Sequence, residues 1–318
     1  MKRSAFDLLR RAFDNALANW PLLLLRLAEA IVFFVIAIAA LLAIVVPILV
    51  SVGIQFANLN TPESIEEAIF TLAQKWILLI WILLGVSILF LVFLAVHAFV
   101  EAGCARVLVD GERNAGPALE GPRSRYRVFS MERWFSGGAE GWWTLFWIYN
   151  LAWAAASVIL LIPLLPTIVL MLVLGGNENP AAAAGIGCLG LVLTLFLGIL
   201  IAIVTSIWTT RAIADWAARP SGARHALATA WAAVKADFGR HLVIALAVVV
   251  VAMAGSAFFS SLSFFAGMGD IFGRGHSSVS FFLVPLQMFG SLLNSVFSSA
   301  VFSWFLAAYA ALALERAE

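Results

Sequence analysis

The chain has 318 residues, of which 63% are apolar and 12% charged, and its net charge is +1. Soluble domains run nearer half apolar and a quarter charged, so the composition excludes a soluble globular protein and points to membrane spans. The near-neutral balance leaves no reason to expect a nucleic-acid partner.

The N-terminus, "MKRSAFDLLRRAFDNALANW", is too polar for the apolar stretch of a cleavable signal peptide and is expected to be retained. Within it Phe6, Leu9, Phe13, Leu17 and Trp20 recur at helical spacing, with Arg10, Arg11 and Asp14 off that stripe. That pattern predicts an amphipathic helix lying in the interface, its basic residues towards anionic headgroups. Six apolar segments follow, near residues 30–50, 76–96, 142–174, 182–208, 242–265 and 281–314. At 1.5 Å per residue, about 20 apolar residues cross a hydrocarbon core of roughly 30 Å, so each segment is a predicted span. Pro163 and Pro166 predict a kink or break in the third. The sixth is longer than a perpendicular span needs, and should tilt or begin near Pro285. Between the first two spans, "NTPESIEEAIFTLAQKW" reads as a helix start, with Thr61 as cap, Pro62 in the first turn and Glu63, Glu66 and Glu67 favoured by the helix dipole.

Basic residues set the expected orientation. Sixteen lie on the side that holds both termini, whereas only Lys75 and Arg274 lie on the other. The positive-inside rule then makes both termini cytoplasmic. Trp20, Trp76, Trp142, Trp143 and Trp208 fall near the boundaries, as an interfacial belt would. Cys104 and Cys188 come out on opposite sides and are too few for a disulfide framework.

The pattern repeats. Each pair of spans is preceded by a cytoplasmic segment, giving quasi-repeats near 1–105, 106–210 and 211–318 in a single membrane domain. In the third, Leu227, Trp231, Val234 and Phe238 form the apolar stripe, with Arg224, Lys235 and Asp237 off it. The middle segment is less regular and is broken by Gly137 and Gly138, and the three enter their spans after Asn19, Gly141 and Gly239. "RVLVD" and "RAIAD" follow the second and fourth spans, pairing Arg106 with Asp110 and Arg211 with Asp215 at i,i+4, and Arg106, Arg211 and Arg316 are each 105 residues apart. This plan, with "NW" before the first span, resembles the membrane-integral domain of some bacterial glycerophosphoryl diester phosphodiesterases and related uncharacterised six-span families. In that family the diesterase activity belongs to a separate soluble barrel, so no activity carries over. The resemblance implies an accessory or anchoring module of the bacterial inner membrane.

Two polar groups stand out against this background. Arg26, Glu29, His97 and Glu101 lie at similar depth at the inner ends of the first two spans. Residues 30–50 already make a full span of about 31 Å, so the group reads as boundary residues that are solvated and independent. On that reading alanine at Glu29 or Glu101 changes stability by under ~1 kcal/mol; the sharper reading is a polar site between helices. In the sixth span Gln287, Ser291, Asn294 and Ser298 share one face, which marks tight packing or a wetted path that Asn150 could also face.

Other motifs fail on context. "GIGCLG" (Gly185 to Gly190) sits in an apolar span, where close helix packing explains it better than dinucleotide binding. "GMGD" ends in Asp270, expected in an external loop with no second carboxylate at its depth for aspartyl chemistry. No metal-binding pair, phosphate loop or serine elbow occurs. The expectation is an all-α, six-span, non-enzymatic protein with no cofactor. Its partners are membrane lipids or a partner membrane protein; the alternative is a small-solute or lipid transporter.

Overall fold

The computed structural model describes residues 3–52, 76–117, 122–176, 180–272 and 277–315. Its helices are α1 (Ala5–Ala18), α2 (Pro21–Val52), α3 (Trp76–Ala115), α4 (Met131–Gly176), α5 (Pro180–Ala218), α6 (Ala223–Ala236), α7 (Phe238–Phe272) and α8 (Ser277–Glu315), with one 3₁₀ turn at Arg123–Tyr126. No strand occurs among the described residues. Helices α2, α3, α4, α5, α7 and α8 are long and apolar enough to cross a membrane. The chain is therefore all-α with six candidate spans, the mark of a multi-pass membrane protein. The segment from Thr61 to Lys75 and the repeat residue Arg316 lie outside the described residues.

Helix α1 starts where its sequence caps it. The Asp7 N–H donates to Ser4 Oγ at 3.1 Å, and the Ser4 N–H donates back to Asp7 Oδ2 at 3.2 Å. These bonds hold the Asp7 carboxyl below its ordinary pKa of 3.8, the Ser4 hydroxyl first among the causes. The inward face is not the aromatic stripe but Leu8, Leu9, Arg11, Ala12 and Asn15, all buried. Phe6, Phe13, Leu17 and Trp20 stay exposed, so most of the stripe does not pack against the bundle. The stripe of α6 divides differently: Leu227 and Val234 are buried, while Trp231 and Phe238 remain exposed.

Asn19 is more than a small residue ahead of a span. It is fully buried. Its amide donates to the Tyr126 carbonyl at 2.8 Å, and its Oδ1 accepts from the N–H groups of Val128 and Phe129 at 3.1 and 3.0 Å. One side chain thus satisfies the backbone of the connection into the second module. Burial beside it pushes the Tyr126 phenol above its ordinary pKa.

The segment ahead of the third span departs from the expected pattern. It is continuous with the span, since α4 runs unbroken from Met131 through Gly137 and Gly138. Those glycines serve contact instead of a break: a Cβ on Gly137 would stand 2.7 Å from Arg106 Cβ, and one on Gly138 would stand 2.9 Å from the Phe99 ring. Helix α4 also continues through Pro163 and Pro166, so no break occurs there. "GIGCLG" lies within α5, with Gly187 against Met171 and Gly190 against Thr167, which is small-residue packing. Gly267 to Asp270 belong to the last part of α7 and not to a loop, and α8 begins at Ser277, upstream of Pro285.

Helix α8 is the axis of the bundle. From Leu306 to Ala313 every residue is buried, whichever way it points. Five alanines in that run let neighbours approach closely from all sides. The other spans instead turn residues such as Leu83, Ile162, Leu191 and Val250 outward. At the same end of the bundle the two chain ends meet. The Arg3 N–H donates to Glu315 Oε1 at 3.3 Å, Arg240 pairs with Glu315 at 2.7 Å, and Arg11 pairs with Glu112 at 2.7 Å.

Candidate functional site

Arg26, Glu29, His97 and Glu101 are brought together, and the boundary reading is overturned. Arg26, Glu29 and Glu101 are buried, Glu101 completely. The pairing is also across helices instead of along them. Arg26 Nη2 donates to Glu101 Oε2 at 2.6 Å, and His97 Nδ1 lies 2.7 Å from Glu29 Oε1. Helix α8 closes the group: Arg26 Nε donates to Ser303 Oγ at 3.1 Å, and its guanidinium carbon lies 4.5 Å from the centre of the Phe302 ring. The physical reason is the central helix. Because α8 packs against α2 and α3 at this level, their polar side chains face protein and must satisfy one another.

Arg26 faces two carboxylates, Glu101 and Glu29, and His97 is hydrogen-bonded to the second. Glu101 Oε1 has no hydrogen-bond partner among the described residues.

The cluster borders a cavity. A space of about 940 Å³ lies between α3, α4, α5, α7 and α8. Its wall is mostly apolar, including Leu94, Trp153, Val248 and Phe305, with hydroxyls from Ser157, Ser206 and Ser298. His97 and Tyr149 stand in the wall with their rings 5.2 Å apart. Of the four cluster residues only His97 lines the cavity, so it connects the cavity to the buried charges behind it. The volume falls within the roughly 300–1,000 Å³ typical of ligand pockets.

The sixth-span stripe contributes little to this cavity. Ser298 lines it; Ser291, Asn294 and Asn150 do not. The Asn150 amide donates to the Phe146 carbonyl of its own helix at 2.8 Å. Ser291 is exposed, and Asn294 Oδ1 is buried with no hydrogen-bond partner among the described residues. Gln287 is part of α8, but its side chain lies outside the described residues. Tyr149 and Phe302 were missed by sequence reasoning, which placed Ser303 only beside the sixth-span stripe. Nothing in a run of apolar and small residues singles them out until α8 is known to be central.

The repeat pairs divide. Arg211 and Asp215 pair at 2.9 Å as their spacing predicts, whereas Asp110 pairs with Arg113 at 3.2 Å and Arg106 donates to the Ala217 carbonyl at 3.2 Å. That bond satisfies an orphan carbonyl at the end of α5, which the i,i+4 pair would have left bare. Both cysteines are free, Cys104 buried and Cys188 exposed. Among the described residues no group of three or more His, Cys, Asp or Glu is placed to hold a metal ion. No family model matches this chain, and neither a curated protein nor a solved structure is similar to it.

Proposed function

We propose that this protein is a non-catalytic binding module of a bacterial inner membrane, with both termini cytoplasmic. Its ligand is a lipid-class amphiphile held in the five-helix cavity. The observation that carries the reading is the cavity itself: an apolar chamber of about 940 Å³ whose polar end is His97 and Tyr149, backed by paired buried charges. An apolar body fills such a chamber, while its polar end bonds to His97, Tyr149 or the nearby hydroxyls. The 2.7 Å hydrogen bond between His97 Nδ1 and Glu29 fixes the ring's position. The accessory role implied by the resemblance to the diesterase membrane domain fits this reading. Solute passage along the sixth span is less well supported, because Asn150 and Asn294 do not face the cavity.

The full chain is purified in mild detergent and the amphiphiles it retains are identified by mass spectrometry. Wild type should retain one class of amphiphile, recovered chemically unchanged. Ser298→Trp, which drives an indole into the cavity, should lose it while keeping its thermal unfolding transition. Equal retention by the two proteins sinks the proposal.

A further inference from the structure

A second site lies on the perimeter of the bundle, where α6 meets α4 and α5. Two apolar hollows of about 610 and 640 Å³ adjoin there and share Leu151 and Arg224. The larger runs from Leu151 to Ile159 on α4 and from Leu200 to Trp208 on α5. Eight residues of helix make that about 12 Å of groove along the membrane-crossing direction. Its α4 wall is smoothed by Ala152, Ala155 and Ala156.

The head of the groove is cationic. A polar hollow of about 510 Å³ adjoins it through His225 and contains Arg219, Ser221 and Thr229, together with Arg211 and Asp215, which pair with each other at 2.9 Å. Arg219, Arg224 and His225 are exposed. Among the described residues no carboxylate pairs with the side chain of either arginine, whereas Arg11, Arg26, Arg211 and Arg240 of the same chain all have one. Helix α6 begins at the same place. Its N-cap, Gly222, supplies no side-chain hydrogen bond, so first-turn N–H groups remain available to an anion. Trp143 and Trp147 flank the head on one side. Trp208 and Trp231, with rings 5.6 Å apart, flank it on the other.

We infer that this surface is a specific site for an anionic glycerophospholipid. The phosphate sits among Arg219, Arg224 and His225 at the start of α6, the smaller hollow beside them takes the headgroup end of the lipid, and the acyl portion lies in the larger groove. Unmatched positive charge at the head calls for a negative headgroup, and the apolar groove that adjoins it calls for an acyl tail. A polypeptide in the same groove would need hydrogen-bond partners along it, and its lower walls are Ala, Leu, Ile and Val with Thr205 as the single hydroxyl among these lining residues. The inference is independent of the central cavity, whose wall shares no residue with these hollows.

The test uses the full chain in phosphatidylcholine vesicles containing a minority of phosphatidylglycerol, released into native mass spectrometry to count retained lipids. Wild type should retain one phosphatidylglycerol. Arg219→Gln combined with Arg224→Gln should weaken its retention by roughly 30-fold, since each cation near a headgroup contributes about 1 kcal/mol. Ala155→Trp, which fills the groove and leaves the cations in place, should also weaken it. Phosphatidylcholine retention, excess inorganic phosphate and the cavity variant Ser298→Trp should have no influence on it. Unchanged retention in the arginine double variant or in Ala155→Trp overturns the inference. Displacement by inorganic phosphate would make this a free-phosphate site, and loss in Ser298→Trp would move the lipid to the cavity. Either result overturns it, as does a polypeptide retained by wild type and released by the double variant.

Discussion

At the scale of single residues, the buried quartet decides the stability prediction. An exposed ion pair is worth under ~1 kcal/mol, which is what boundary residues would give. Glu101, however, has no exposed side-chain surface and takes a 2.6 Å bond from Arg26. Removing it leaves a buried guanidinium that, among the described residues, keeps the Ser303 Oγ bond and the Phe302 ring, with Glu29 as its remaining carboxylate neighbour. Stranding one partner of a buried pair costs roughly 3–5 kcal/mol, whereas replacing both by apolar groups of similar volume is often neutral. Glu101→Ala should therefore lower stability by that amount in detergent unfolding experiments. Arg26→Met combined with Glu101→Leu should recover most of it. A loss under ~1 kcal/mol for Glu101→Ala would mean that water reaches the pair. The four residues were legible in the sequence as a group at one depth. Their cross-helix pairing was not, because the partner that closes the site, Ser303, is 277 residues from Arg26 and belongs to a helix whose centrality no local pattern announces.

At the scale of elements, helix type and placement were legible where the apolar period was regular, as in α1 and α6. Packing was not. Gly137, Gly138 and Gly141 look like helix breakers in sequence, because glycine costs about 1 kcal/mol in a helix interior relative to alanine. In the structure they are where α4 presses on its neighbours. A Cβ on Gly141 would overlap the Trp216 ring and would stand 2.7 Å from the Ala102 Cβ. Trp216 and Ala102 are both buried, and the Ala102 Cβ has no rotamer to yield. The steric term should thus outweigh the gain in helix propensity. Gly141→Ala is expected to destabilise the protein by about 1–3 kcal/mol, the usual cost of overpacking. Gly222→Ala, at a position with open space around the missing Cβ, is the matched control and should change stability far less. Thermal unfolding of the two variants side by side tests this, and equal effects would show that α4 has room to shift.

At the scale of the whole molecule, the six spans were legible from length and apolarity alone, since a membrane imposes both. Which span is central was not. Helix α8 is the least apolar of the six, yet it is the most enclosed, because small residues bury a helix among others while large apolar ones face lipid. The arrangement also bears on orientation. Arg3 bonds to Glu315, Arg11 to Glu112 and Arg240 to Glu315, so both chain ends and the start of α7 share one end of the bundle. That end also contains α1 and α6 with their arginines. The end of α4, near Gly175, is one span away. If the positive-inside rule holds, the charged end is cytoplasmic. In a background lacking Cys104 and Cys188, a cysteine at Ser221 should react with a membrane-impermeant maleimide only after the membrane is opened. One at Gly175 should react in intact cells. The two sites are on opposite sides of one helical hairpin, so their reactivities must invert together. Labelling of the Ser221 variant but not the Gly175 variant in intact cells would turn the whole protein over. It would also move the cationic lipid site of α6 to the outer leaflet.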